Sequence, residues 1–129
     1  MNRPVRESNE VATVTRWVTS ARRTGATDTY VGKRRWARTT WSTSLAVKTL
    51  SGRQAGEITY ARAKDVSLGG MGFLVRKRLK LNTQIEIAVE GHTQTVRAVV
   101  MHCTATLGAF IVGVAFAHVE DPGCRRAAG

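Results

Sequence analysis

This chain is poor in acidic residues, cysteine and long apolar runs, and each shortage removes a class of protein. Its two cysteines, Cys103 and Cys124, are too few for a disulfide framework and wrongly spaced for a thiolate metal pair. One bridge between them is conceivable, and reduced thiols are the expected state. No apolar run is long enough to cross a bilayer, and no charged-then-apolar leader opens the chain. A cytoplasmic protein without membrane insertion is therefore expected. No internal repeat is visible. Only nine Asp/Glu stand against 20 Lys/Arg, a net charge of +11, and such an excess points to an anionic partner.

What is present fits one small globular domain. The 129 residues suffice for a single core, and 43% hydrophobic residues argue against wholesale disorder. The charge is uneven: residues 1–38 carry nine Lys/Arg against three acids. That stretch begins with an extension, residues 1–30. There Val11, Val14, Val18 and Ala21 recur at helical spacing behind Ser8, a candidate N-cap. A short helix near 8–22 is compatible with this pattern, although its β-branched content works against one. Thr24 to Thr29 read as linker.

From Thr39 onward the period becomes two. Trp41, Thr43, Leu45 and Val47 alternate with Ser42, Ser44, Ala46 and Lys48, and Ser51-Gly52 marks a turn. Further strands follow over 57–63, 71–75, 85–89, 93–103 and 110–119. Six short strands with no intervening helix predict an all-β domain, a six-stranded antiparallel β-barrel. In the last strand, Gly113 implies a bend or a close backbone approach. Apolar residues on both faces there imply a cover over its outer side. The expected layout is an extension over 1–30, a barrel with its preceding basic loop over 31–119, and a short tail over 120–129.

Two motifs flank the first hairpin. One is Lys33-Arg34-Arg35-Trp36-Ala37-Arg38, with an R-x-x-x-R spacing at Arg34 and Arg38; the other is Asp65-Val66-Ser67-Leu68-Gly69-Gly70, or D-x-S-x-x-G. A hairpin returns its end beside its beginning, so the arginines and the Asp/Ser pair converge at one rim. Guanidinium forks match phosphate oxygens and the O6/N7 edge of guanine. A carboxylate accepts from guanine N1–H and N2–H, while Ser67 adds a hydroxyl and the glycines admit a ligand close to the backbone. Alone, an arginine cluster is usually a solvated face and D-x-S-x-x-G a local turn. In this order, one hairpin apart, they specify a guanine-nucleotide site.

In these motifs residues 33–119 resemble a PilZ domain, whose hallmark is an R-x-x-x-R loop followed one hairpin later by [D/N]-x-S-x-x-G. Gly113-Val114-Ala115-Phe116 also resembles the family's closing strand. The resemblance implies a six-stranded antiparallel barrel that binds the bacterial second messenger cyclic di-GMP, often as an intercalated dimer. It passes that signal to a protein partner through a conformational change, and it needs no cofactor. It assigns guanine and phosphate contacts to Arg34 and Arg38, with Arg35 assisting. Asp65 and Ser67 would read a guanine edge, and Gly70 would keep the turn open. Lys33 stands where ligand stoichiometry is influenced. The chain departs from the family pattern in its short tail and in its extension.

The remaining histidines, cysteines and tryptophans suggest no second chemistry. His92, His102, His118 and Cys103 have no zinc-ligand spacing, and no serine has a paired base, so no metal and no catalysis are expected. Trp36 is a candidate for base stacking, Trp41 reads as core or barrel surface, and residues 76–80 as a solvated turn. Two competing functions remain: a PilZ-fold adaptor that binds protein alone, and a basic barrel that binds single-stranded nucleic acid. The second accounts for the charge but not for Asp65 and Ser67.

Overall fold

Alternating apolar residues are what close this sheet into a barrel. The computed structural model describes residues 2–26 and 37–118, with side chains in the N-terminal helix from Asn9 onward. A long helix, α1 (Asn2–Thr24), precedes seven strands: β1 (Thr39–Thr40), β2 (Ser44–Thr49), β3 (Ile58–Val66), β4 (Gly70–Val75), β5 (Gln84–Val89), β6 (Thr95–Thr106) and β7 (Ala109–Phe116). The order across the sheet is β1-β3-β2-β5-β6-β7-β4, every pairing is antiparallel, and β4 returns to β3. Six strands thus form a closed barrel, and closure leaves none of them an open edge. The all-β, six-stranded expectation holds.

The seventh strand, β1, is a two-residue addition. The predicted first strand is interrupted at residues 41–43, and β1 and β2 occupy successive lengths of the same edge of β3. Trp41 N–H donates to Lys64 O, and Ala63 N–H to Thr43 O, so hydrogen bonding continues across the break. Inside, Leu45, Val47, Phe73, Ile85, Ile87, Val96, Val100, Val112 and Phe116 are buried. Each contributes roughly 1.5–3 kcal/mol of apolar transfer. The β6–β7 hairpin turns at Leu107-Gly108, where Gly108 takes a φ of 72°, a left-handed conformation that suits glycine.

The helix is longer than its sequence suggests. It starts at Asn2, so Ser8 lies within it and not at its N-terminus. Its buried stripe is Glu10, Thr13, Val14, Trp17, Val18 and Ala21, whereas Val11 faces outward. Tertiary packing outweighs the β-branched propensity. The hydroxyls of Thr13, Thr15 and Thr19 donate to the carbonyls four residues back. The packed face of α1 meets β6, β1 and β3. Trp17 lies between Trp41 and Phe116, with ring centroids 6.3 and 6.0 Å away. The helix is therefore part of the barrel's core.

Two turns before Trp17 and on the same face, Glu10 locks the helix down. Its carboxylate accepts from Arg97 main-chain N–H at 3.1 Å, from Nε at 2.9 Å and from Nη2 at 2.9 Å. Burial pushes the Glu10 carboxyl up, but hydrogen bonds and charge from Arg97, with a smaller contribution from His118, outweigh it. The net effect holds the group below its ordinary value.

Residues 76–80 are more than a solvated turn. Leu79 is buried, the Arg78 guanidinium lies 4.8 Å from the Phe110 ring centroid, and Lys77 pairs with Glu57. No described helix is long and apolar enough to cross a membrane.

Candidate functional site

The site grows from the end of β3. There the chain runs Asp65-Val66-Ser67 and turns back into β4 at Gly70. Asp65 is largely buried. Its Oδ1 accepts from Gly72 N–H at 3.0 Å, while Oδ2 lies 3.6 Å from Lys64 Nζ and 3.9 Å from Arg38 Nη1. The carboxylate is anchored to the barrel wall on one side and faces two cations on the other.

Ser67 organises the turn itself. Its Oγ accepts from Gly69 N–H and Gly70 N–H, both at 3.2 Å, and donates to Gly70 O at 3.3 Å. Gly69 O accepts from Phe116 N–H, which ties the turn to β7. Gly70 has a steric reason to be glycine: a Cβ there would meet Val114 O at 2.1 Å. Close approach to β7, more than an open turn, fixes this residue.

Register brings the two motifs together. Thr39 pairs with Val66 and Thr40 with Asp65, so one further step sets Arg38 opposite Ser67. The convergence expected from the hairpin is realised for Arg38, Asp65, Ser67 and Gly70. Lys33, Arg34, Arg35 and Trp36 lie outside the described residues. Their flanks are fixed, because Thr40 N–H donates to Ala26 O at 3.0 Å and Ala26 N–H donates to Thr40 Oγ1 at 2.8 Å. Ala26 and the residue paired with Asp65, Thr40, are thus joined directly.

A cleft of about 270 Å³ opens beside this turn. Arg38, Ser67, Gly69 and Gly70 line one side, Met101 and His102 of β6 the other, and Gly113 and Ala115 of β7 form part of its floor. A larger cleft of about 550 Å³ lies between Thr24-Gly25 and Arg62/Lys64 and holds none of the motif residues. The smaller one, which holds them, is the candidate site. It offers the Arg38 guanidinium and the backbone of the Ser67–Gly70 turn, with the Asp65 carboxylate next to Arg38, and this suits a polar planar ligand.

Met101 and His102 carry no motif in the sequence, where His102 reads only as a residue without metal-ligand spacing. The available signal was Gly113: the close approach predicted there is made by His102, whose Nε2 stands 2.1 Å from where a Gly113 Cβ would be. This ring is also part of the cover expected over β7. His92 and His118 are drawn into packing, edge-on to Trp41 and stacked on Phe116 respectively. Trp41 is core, as expected. Cys103 is half-buried on β6, and Cys124 lies outside the described residues.

Comparison with known proteins agrees with this architecture. A model of the PilZ domain matches residues 32–127. Among solved structures, the chain is similar to the PilZ domain with c-di-GMP of YcgR from Escherichia coli. The TM-score is 0.54 and the identity 18%, over 74% of this chain and 85% of that one. At that identity the likeness speaks for the fold. No curated protein matches. With three quarters of its length matched by the family model, over the residues that build the barrel and its Asp65–Gly70 turn, the chain belongs to the PilZ domain family.

Proposed function

We propose that this chain is a receptor domain for cyclic di-GMP that carries out no catalysis. The observation that carries the reading is the register that sets Arg38 beside the Asp65–Gly70 turn at the edge of one cleft. Family membership supports it, and so does the ligand named for the Escherichia coli neighbour. In this reading Arg38, with Arg34 and Arg35 from the preceding segment, takes phosphate oxygens and the guanine O6/N7 edge. Arg34 is four residues from Arg38, within roughly 14 Å along the chain, so both reach the same ligand. The outward-facing Oδ2 of Asp65 accepts from guanine N–H groups. Ser67 and Gly70 shape the turn that holds Asp65 and the cleft floor in place.

The signal has a physical route. The Ala26–Thr40 clasp joins the arginine segment to α1 on one side and to the residue paired with Asp65 on the other. Tension from a bound ligand is delivered to the base of the helix. We assign the output to a downstream protein partner in a cytoplasmic setting, with no cofactor and no nucleic acid.

Equilibrium binding of cyclic di-GMP to Arg38→Ala and Asp65→Ala tests the site. Each substitution removes a charge-assisted contact of about 1–3 kcal/mol, so affinity should fall about 5- to 150-fold. Wild-type affinity in both variants would remove the assignment. Length-dependent oligonucleotide binding with a steep salt slope, unchanged by Asp65→Ala, would favour a nucleic-acid barrel instead.

A further inference from the structure

We infer that two copies of this chain associate edge to edge through residues 101–106 of β6; the inference stands apart from the cyclic di-GMP reading. Barrel closure covers a strand only as far as its neighbours run, and β6 outruns one of them. Its ladder with β5 ends where Gln84 pairs with Val99. The connection before β5 adds one more step: Val100 N–H donates to Thr83 O, and Val100 O accepts from Asn82 N–H. From Met101 onward, β7 is the only described strand that pairs with β6. The other edge of the hairpin therefore presents main-chain donors and acceptors that a further strand can take up.

Natural edges are commonly blunted by charge, by proline or by bulges. Here residues 98–119 contain no Lys, Arg, Asp or Glu, the longest such stretch in a chain with 20 Lys/Arg, and no proline. The one bulge falls at Met101, where the overhang begins. Beyond it the register with β7 is unbroken, from His102 opposite Gly113 to Thr106 opposite Ala109. Thr104, Ala105 and Thr106 are exposed, and the two threonines suit a strand. Exposed apolar residues stand at both ends, Met101 at 49% and Leu107 at 99%. The Arg78 guanidinium packs on the ring of Phe110, the partner of Ala105, and so braces the hairpin. The edge is presented already formed, which lowers the cost of pairing.

Charge selects the occupant. With a net charge of +11, two copies repel across most of their surfaces. Contact through this edge sets no like charges against each other. An edge paired antiparallel with itself is isologous and closes at two copies. The two-fold axis then falls near Cys103 and Thr104, so the Thr104 residues of the two copies lie side by side. Each Leu107 reaches the Met101 end of the other copy. So short an edge makes a small interface, with a dissociation constant on the order of 100 µM. Salt screens the remaining repulsion, so association strengthens as salt is added.

The test is sedimentation equilibrium of the full chain without nucleotide. The average mass of the wild-type protein should rise toward twice the monomer with concentration, and further at higher salt. Thr104→Lys and Thr104→Glu should each remain monomeric, with unchanged thermal midpoints, because each sets like charges side by side across the axis. An equal mixture of the two should associate at least as strongly as wild type, a rescue that damage to the fold would not give. Should either variant fold poorly, wild-type hydrogen exchange reads the same contact: amides within 101–106 should exchange more slowly as concentration rises. A wild-type protein that stays monomeric throughout would overturn the inference. So would a dimer that survives both substitutions, a mixture of folded variants that fails to associate, or exchange on this edge that ignores concentration.

Discussion

Replacing Glu10 by alanine should undock the first helix from the barrel, and the structure sets the size of the effect. Glu10 is 4% exposed and accepts three hydrogen bonds from Arg97, one of them from its main-chain N–H. Breaking a fully buried ion pair costs about 3–5 kcal/mol. The Arg97 side chain is 35% exposed, however, so water takes over part of the guanidinium's bonding and the expected cost falls to about 2–3 kcal/mol. With about 3–5 °C of melting temperature per kcal/mol for a chain of this size, Tm should fall by about 6–15 °C. Glu10→Gln keeps an acceptor for the main-chain N–H and should cost about half as much. Thermal melts followed by circular dichroism give Tm. Trp17 fluorescence reports the docking separately, because Trp17 sits between Trp41 and Phe116. A double-mutant cycle with Arg97→Ala isolates the pair. A Tm within about 2 °C of wild type for Glu10→Ala would refute the idea that this contact holds the helix.

Other perturbations follow from the same contacts. The Glu10 carboxyl is held below its ordinary value of 4.5, so its stabilisation is complete above that value and is lost as pH falls through the lower, folded one. Acid unfolding of Glu10→Gln should lack this component, and overlapping acid transitions of the two proteins would contradict the assignment. Trp17 Nε1 is buried without a hydrogen-bond partner among the described residues. Trp17→Phe removes that orphan donor together with some volume and should stay within about 1 kcal/mol of wild type, whereas Trp17→Ala should cost about 3–5 kcal/mol in denaturant unfolding. Gly70→Ala places a methyl group 2.1 Å from Val114 O. It should cost about 2–3 kcal/mol and weaken nucleotide binding by shifting the turn, both measurable on one preparation.

The barrel was legible because period-two alternation is a short-range signal. β5 buries Ile85, Ile87 and Val89 where the sequence placed them, and β7 does so for Val112, Val114 and Phe116. The convergence of Arg38 with Asp65 was legible too, since a hairpin geometrically returns its ends. What escaped depends on contacts between distant segments. The length of α1 is decided by Trp17 and Glu10 meeting β6, β7 and Trp41, which no local pattern encodes. Val11 lost its buried place to Glu10, because a carboxylate with a waiting Arg97 fits a wall that a valine cannot satisfy. The position of His102 depends on a bulge in β6, and an inserted residue reverses the inward–outward alternation from that point on.

The central claim is tested most directly by isothermal titration of the intact chain with cyclic di-GMP at physiological salt, beside cyclic di-AMP and GTP. The account predicts micromolar or tighter binding confined to cyclic di-GMP, with the stoichiometry separating one bound nucleotide from an intercalated pair. A folded protein that gives no heat with cyclic di-GMP, or equal binding of all three nucleotides, would contradict it.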